Sequence, residues 1–227
     1  AEDVSESIVQ QIIGEKLIKR IQISDYISAA ALEKLDCIFT SRPDISFRVY
    51  GGAGNTFGSV NGFNGWNLDF LRHLPNVQKL VIENFEFKNT DLSILSSLPN
   101  LKSLTIEIYD LRDFSFVKTL PSQLEHLSIN AELKSGKPVF DCQWLLHFKN
   151  IQSLFLGKLD KNLEAIASLN QLEKLELRSF KNKDLSFLKQ IPIKELSILW
   201  CDGAKIDLTT LSDIRSIRYL EIFTVSK

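Results

Sequence analysis

The 227-residue sequence lacks an excess of charge of either sign, because its 27 lysines and arginines are balanced by 28 aspartates and glutamates. Proteins that bind nucleic acid electrostatically carry a basic excess or a basic stripe, so we expect no nucleic-acid partner. The sequence also lacks any apolar run close to the roughly 20 residues that a helix needs to span a bilayer. We therefore expect no membrane insertion.

Cysteine is scarce as well. Cys37, Cys142 and Cys201 are far apart and form neither a CxxC pair nor a Cys/His cluster. This spacing indicates neither a disulfide framework nor a metal site, and we expect no cofactor. Such cysteine usage favours a reducing, cytoplasmic setting. A secreted or cell-surface location stays an alternative, because a signal peptide could precede Ala1.

Glycine is sparse except in one segment, GGAGNTFGSVNGFNGW at residues 51–66, which holds six of the ten glycines. A P-loop would need GxxxxGK[ST], and the dinucleotide fingerprint would need a third glycine where Phe57 stands. The segment therefore predicts no phosphate site. We interpret it as an insertion that leaves one edge of a sheet.

What the sequence does contain is an internal repeat. Segments 71–82, 95–106, 166–177 and 211–222 share the pattern apolar-xx-apolar-xx-apolar-xx-apolar-x-apolar, and 117–129, 145–156 and 188–198 fit with one residue inserted or deleted. The last two apolar residues predict a short strand, and the earlier ones predict a helical or 3₁₀ turn on the opposite wall. The inward strand leucines recur every 21 to 27 residues and are Leu80, Leu104, Leu127, Leu154, Leu175, Leu196 and Leu220.

Two weaker strands, at Ile21 and Ile23 and at Phe47 and Val49, precede the regular repeats and bring the expected total to about nine. Two helices are predicted before them. One covers SESIVQQIIGEKL, with Ser5 or Ser7 as its cap, and the other covers residues 28–39. The first is expected to turn one apolar face inward, made of Val4, Ile8, Ile12 and Ile13.

An aspartate or asparagine precedes the first apolar residue of each predicted turn. A carboxylate or amide oxygen in this place can accept a hydrogen bond from the free N–H groups that open a helical turn. We therefore interpret these residues as caps rather than as catalytic acids. They are Asn67, Asp91, Asp113, Asp141, Asn162, Asp184 and Asp207.

The pattern resembles that of leucine-rich-repeat proteins with short repeats, and its period is similar to those of the internalins and of phosphatase regulatory subunits. The resemblance implies an α/β fold: a right-handed solenoid, or horseshoe, with a parallel concave sheet, a helical or 3₁₀ convex side and an N-terminal capping helix. We predict one domain, with the capping helix at 1–17, two irregular repeats and the glycine-rich loop at 18–66, and seven regular repeats at 67–227.

The chain departs from the family pattern in one respect. In the family signature an asparagine stands three residues after the last apolar residue of each strand. Here this asparagine is missing, and we expect an aromatic and apolar stack in its place. The residues that occupy it are Phe85, Tyr109, Glu132, Leu159, Phe180, Cys201 and Val225.

The sequence favours no active site. His73 and His147 occupy equivalent places in two turns, where we expect exposed side chains on the convex wall, and Cys142 aligns with core leucines. His126 faces outward from a strand, and we expect no serine or cysteine beside it. A small-molecule enzyme would depend on this histidine and the glycine-rich loop alone.

Members of the resembled family act mostly by binding other proteins, so we expect a non-catalytic module that sequesters or scaffolds a toxin, an effector or an enzyme. The alternative is a secreted or surface adhesion domain of the internalin type. Exposed aromatic groups among charges are typical of interfaces. The predicted partner-binding residues are Arg48, Tyr50, Lys79, Glu83, Glu107, His126, Phe155, Glu176, Arg178, Leu199, Tyr219 and Phe223, with Phe57, Val60 and Phe63 on a loop rim.

The predicted last strand is followed by no polar capping segment. A solenoid without such a cap exposes its core and a strand edge. We therefore expect either a fragment of a longer protein or self-association through this end.

Overall fold

A computed structural model describes residues 4–24, 27–50, 68–86, 90–132, 140–157, 161–179, 184–201 and 207–224. Helices α1 (Glu6–Gly14) and α2 (Ala29–Ser41) lie near the N-terminus. Nine strands follow one another in space in the order of the sequence, and every neighbouring pair is parallel. They are β1 (Arg20–Ile23), β2 (Ser46–Tyr50), β3 (Lys79–Glu86), β4 (Ser103–Tyr109), β5 (His126–Glu132), β6 (Ser153–Leu156), β7 (Lys174–Arg178), β8 (Glu195–Cys201) and β9 (Tyr219–Thr224).

Short 3₁₀ helices connect the regular strands on the opposite wall. Each starts next to a leucine, phenylalanine or capping residue and places apolar side chains three positions apart, so one wall of the turn faces the core. Within the described ranges they are Asp69–His73, Ser93–Ser97, Ser115–Thr119, Cys142–Leu145, Leu163–Ser168, Ser186–Gln190 and Thr209–Asp213. The predicted architecture, a parallel sheet backed by 3₁₀ turns, is confirmed.

The core lies between the sheet and these turns. The strand register aligns equivalent leucines, as in the pairing of Leu104 with Leu127, so one apolar row runs through the molecule. Leu80, Leu104 and Leu127 are buried, whereas their equivalent in β9, Leu220, is 46% exposed. Burial of the inward leucines therefore follows the prediction everywhere except in the last strand.

Five of the predicted capping residues accept a backbone N–H from the residue two positions later, which satisfies a donor that the turn leaves free. Asn162 is an exception: its φ is 57°, and its side-chain amide instead donates to Asp141 Oδ1 at 2.8 Å. Asn67 lies outside the described residues. The five caps are Asp91, Asp113, Asp141, Asp184 and Asp207, with N···O distances of 2.7–3.0 Å.

Helix α1 caps the N-terminal end, and most of the predicted face packs against the core: Val4, Ile12 and Ile13 do, whereas Ile8 does not. Ser5 is its N-cap and accepts the N–H of Ile8 at 3.3 Å. Val9 is buried, and Ile8 is 48% exposed. The helix is only nine residues long, and it turns Val9 toward α2 while Ile12 and Ile13 pack at the border of the core.

Arg42, which follows α2, ties α1 to the rest of the molecule. Its guanidinium forms a fork with both oxygens of Asp44, at 2.8 and 2.9 Å. The same group hydrogen bonds the carbonyls at which α1 ends, which have no helical partner of their own. These acceptors are the carbonyl oxygens of Ile12, Ile13, Glu15 and Ile18, at 3.0–3.4 Å.

Polar side chains link consecutive turns. The amide of Asn100 donates to the carbonyl oxygen of Pro75 at 3.1 Å, and the amide of Gln123 donates to that of Pro99. These links lie on the turn that precedes each strand. Of the residues expected to replace the missing asparagine row, Cys201 is buried as predicted, and the side chains of the other six lie outside the described part.

Candidate functional site

The outward side chains of the strands form the concave face of the molecule. Because the strands are parallel and in register, equivalent residues line up in rows across the sheet. One row contains Ser46, Lys79, Ser103, His126, Ser153, Lys174, Glu195 and Tyr219. The middle row contains Arg48, Val81, Thr105, Ser128, Phe155, Glu176, Ser197 and Glu221. The third contains Tyr50, Glu83, Glu107, Asn130, Arg178, Leu199 and Phe223.

Three of the predicted site residues are joined on β2 and β3. Arg48 Nε donates to Glu83 Oε2 at 2.8 Å, and a second guanidinium nitrogen contacts the same oxygen. The Arg48 guanidinium also lies 4.8 Å from the centre of the Tyr50 ring and donates to Gln22 Oε1 at 2.6 Å. These contacts join the carboxylate, the guanidinium and the ring into one cluster on the concave face.

The middle of the concave face carries charged and polar side chains. Lys79, Glu107 and His126 are exposed there, as predicted. The expectation that no serine lies beside His126 is wrong, because the register places Ser103 and Ser153 on the two adjacent strands. Among the described residues neither hydroxyl is hydrogen bonded to the imidazole.

Strands β6 and β7 combine an aromatic ring with charged groups. The Arg178 guanidinium lies 5.2 Å from the centre of the Phe155 ring. Its Nε is enclosed and has no hydrogen-bond partner. Lys174, on the same strand, pairs with Glu195 at 2.8 Å, and this carboxylate raises the pKa of Lys174. Glu176 stands between the two cations, in the middle row.

Sequence reasoning missed Trp200. The register between β8 and β9 shifts between Leu199 and Cys201, so Trp200 is the extra residue of a bulge. Its φ is 56°, its side chain is 54% exposed, and its ring lies edge-on to Phe223 with the centroids 5.0 Å apart. The bulge turns Cys201 into the core and Trp200 out of it. In the sequence of β8 the apolar run 198–201 interrupts the alternation of apolar and polar residues, and this interruption is the signal that could have revealed the bulge.

Apolar groups also surround β9 at the end of the sheet. Tyr219 and Phe223 are exposed on the concave face, as predicted. Leu208 and Leu220 are exposed as well, although they sit at positions that are buried in earlier repeats. The described C-terminal end therefore presents apolar surface on both its concave side and its end face.

The convex side offers no comparable arrangement among the described residues. A hollow of about 320 Å³ lies between two turns and is lined by Asp91, Ser93, Asp113 and Phe116 among others. Both carboxylates already accept the N–H groups that they cap. In the described ranges no group of three or more His, Cys, Asp and Glu side chains is placed to hold a metal ion.

The thiols and the remaining histidines have structural surroundings. Cys142 is fully buried as predicted, and burial raises the pKa of its thiol to about 12. Cys37 is exposed on α2. His147 is half-buried rather than exposed, because its two ring nitrogens lie 2.9 and 3.2 Å from the carbonyl oxygens of Trp144 and Leu120. His73 lies 3.3 Å from Glu33.

The predicted rim residues Phe57, Val60 and Phe63 lie outside the described part of the chain. The described concave residues form two clusters, one at Arg48 and one between Phe155 and Phe223. Their contact with a partner stays a prediction. Among the described helices, none combines the length and apolar character needed to cross a bilayer.

The sequence matches no protein-family model and no curated protein. Among solved structures, the chain is similar to an internalin (InlF) from Listeria monocytogenes, with a TM-score of 0.50 and 12% identity over 98% of this chain and 85% of that one. An internalin C2 from the same organism gives a TM-score of 0.53 and 15% identity over 94% and 90%. Likeness at this identity concerns the fold, and it agrees with nine parallel strands built from short repeats. The chain is therefore a leucine-rich-repeat solenoid of the short-repeat type.

Proposed function

We propose that this chain is a non-catalytic protein-interaction module that binds a partner protein on its concave face and thereby sequesters or scaffolds it. The observation that carries the proposal is the exposure of Trp200, Tyr219 and Phe223 on one side of a solvent-facing sheet. Large aromatic groups beside an arginine are the side chains that contribute most to protein interfaces. The exposure of these rings together does not stabilise the chain's own fold, and exposed apolar patches of this kind mark interaction sites.

The cluster at Arg48 and the cluster between Phe155 and Phe223 contribute differently to the proposed binding. The Arg48–Glu83 pair is partly buried, and its two charges are paired with each other, so it offers a polar surface. The surface between Phe155 and Phe223 offers apolar area that a partner can desolvate. The predicted residues between them, Lys79, Glu107 and His126, would lie at the polar rim of such a contact.

The first step of the experiment is to identify the partner protein. Affinity purification from the native cell, followed by mass spectrometry, yields candidates, and binding of each purified candidate is measured by calorimetry. We expect the triple variant Glu176→Lys, Arg178→Glu, Tyr219→Ala to lose binding by about 100-fold or more, because it removes an anchor and reverses two charges. A matched variant on exposed turn residues, Lys149→Glu with Arg215→Glu, should bind as the wild type does. Equal binding by all three proteins would exclude the concave face.

Self-association through the C-terminal end is a second candidate, favoured by the exposure of Leu208 and Leu220. A second copy could add its β9 to this edge, since an exposed strand carries unpaired N–H and C=O groups. Light scattering tests it: a concentration-dependent dimer that Leu220→Glu abolishes supports it, and a strict monomer overturns it.

The proposed setting is the reducing cytoplasm. Cys37 is exposed, and Cys142 and Cys201 are buried in the core. Three widely spaced cysteines without a CxxC pair favour an intracellular setting. The alternative is an adhesion domain on the outside of a cell, and the codons upstream of Ala1 in the gene distinguish the two.

A further inference from the structure

We infer that the concave surface on β7–β9 recognises an extended segment of a partner protein in which an acidic side chain stands about three residues from an apolar or aromatic one. This inference rests on the proposed function and names the chemistry of the partner. The recognising groups are Arg178, Leu199, Trp200 and Phe223, which are collectively named the aromatic–arginine strip.

The apolar half of the strip is the Trp200–Phe223 pair. Both rings are about half exposed, and they contact each other edge-on at 5.0 Å. Trp200 has a φ of 56°, a left-handed conformation that glycine adopts freely and that side chains with a Cβ disfavour. A position suited to glycine thus carries the bulkiest side chain, outside the core. Ser179, at the equivalent place in the preceding repeat, has a φ of 54°, so the left-handed conformation belongs to the repeat, and the exposure of the two rings is what points to an anchor for an apolar group.

The charged half of the strip is Arg178. The other cation of its strand, Lys174, already pairs with Glu195, whereas none of the ion pairs among the described residues includes Arg178. Its guanidinium is held over the Phe155 ring instead. A planar guanidinium fixed by stacking can present its terminal N–H groups to a carboxylate in a bidentate fork. The unpaired charge therefore complements an acidic side chain of the partner.

The spacing of these groups fixes the spacing in the partner. Arg178, Leu199 and Phe223 are register partners on three consecutive strands. Neighbouring strands are about 4.8 Å apart, so the backbone positions of Arg178 and Phe223 are about 10 Å apart across the sheet. An extended segment advances about 3.3 Å per residue, and three residues span this distance.

Carboxylates in the middle row make the opposite charge preference the alternative outcome. Glu176 lies between Lys174 and Arg178 on β7, and Glu221 accepts a hydrogen bond from Ser197 Oγ at 3.2 Å. If these groups dominated, the preferred segment would carry lysine or arginine. The charge of the selected segment therefore distinguishes a preference for acidic segments from a preference for basic ones.

The test selects a phage-displayed library of random dodecapeptides on the immobilised full chain, and the enriched sequence is synthesised with a fluorescent label for anisotropy. We expect Asp or Glu three positions from Leu, Phe or Trp. Affinity should fall about tenfold in Arg178→Gln and about 30-fold in Trp200→Gly. Lys149→Gln, which removes an exposed lysine on a turn away from the strip, should leave it unchanged.

Trp200→Gly needs a separate check of folding, because it relieves the left-handed conformation but also removes the contact with Phe223. Its circular dichroism spectrum and cooperative unfolding should stay those of a folded protein while its affinity falls. Enrichment of basic peptides, or of peptides that bind Arg178→Gln and Trp200→Gly as tightly as the wild type, overturns the inference and leaves a protein-binding function in place. Failure to enrich any sequence, together with unchanged partner binding by the triple variant, overturns both.

Discussion

Asp36 on helix α2 accepts two hydrogen bonds from Asn76, one from its backbone N–H at 3.0 Å and one from its side-chain amide at 2.7 Å. Asn76 belongs to the turn of the first regular repeat, and Asn100 in the next repeat reaches back toward it, with 3.4 Å between the two side chains. The polar links between turns thus begin on a helix that precedes the regular repeats. The cap and the solenoid are joined by hydrogen bonds as well as by the core.

Replacing Asp36 should therefore destabilise the whole chain. Asp36→Ala leaves two partly buried donors of Asn76 without an acceptor, and we expect a loss of about 1–3 kcal/mol. Urea unfolding followed by circular dichroism measures it. The control is Glu33→Ala, one turn earlier on the same helix, which removes only an exposed contact with His73 and should change stability by less than about 0.5 kcal/mol. Equal losses of stability in Asp36→Ala and Glu33→Ala would show that the hydrogen bonds to Asn76 contribute no more than the exposed contact with His73.

The capping aspartates should make stability depend on acid pH. The backbone N–H of Ser186 lowers the pKa of Asp184, so the folded state binds this proton less readily than the unfolded state. Its stabilisation is complete above the unfolded pKa of about 4 and is lost as the pH falls through the lower folded pKa. Asp184→Asn keeps an acceptor oxygen and does not titrate.

Melting temperatures of the two proteins between about pH 2.5 and 7 test this linkage. The curves should lie close together at neutral pH, and the variant should lose less stability than the wild type in acid. Parallel curves over the whole range would show that Asp184 carries no linked proton.

Equivalent core leucines should differ in their contribution to stability. Leu104 is fully buried and Leu220 is 46% exposed, although they occupy the same place in the repeat. Leu104→Ala should cost about 2–5 kcal/mol because it opens a cavity, and Leu220→Ala should cost less than about 1.5 kcal/mol. Urea unfolding of the two variants gives the comparison, and equal costs would show that a covering partner buries Leu220 in solution.

The three cysteines should react at very different rates. Cys37 is exposed, while Cys142 and Cys201 are buried and the pKa of Cys142 is about 12. Because the thiolate is the reactive form, a maleimide should label Cys37 in the native protein and all three thiols only after denaturation. Rapid native labelling of Cys142, read by peptide mass spectrometry, would contradict the burial of that repeat.

The repeat period was sufficient to predict the strands, the inward leucines and the five aspartate caps, because all of these follow from local spacing. Asn162 escaped the prediction because its side chain bonds Asp141 of the preceding repeat rather than its own turn. The orientation of α1, which buries Val9 and exposes Ile8, was predicted only in part for a similar reason. Its orientation is set by contacts with α2 and by Arg42, which lies about 30 positions away in the sequence.

The candidate site could be predicted only in part. Strand alternation identified Phe155, Arg178, Tyr219 and Phe223 as outward residues, but it did not identify Trp200. A bulge changes the phase of a strand through the pairing of its neighbours, which a single strand does not show. The stacking of Arg178 on Phe155 likewise depends on two rotamers on adjacent strands.

The nine strands follow one another across the concave face in sequence order, so two groups on this face are separated by a whole number of strand spacings. The Arg48 cluster on β2 and Arg178 on β7 are five strand intervals apart, about 24 Å along the sheet. Adding or removing one whole repeat between them would shift that separation by about 4.8 Å, and every repeat would still contact neighbours of the same kind. Evolution or design can therefore adjust the distance between two binding groups in fixed steps without rebuilding either of them.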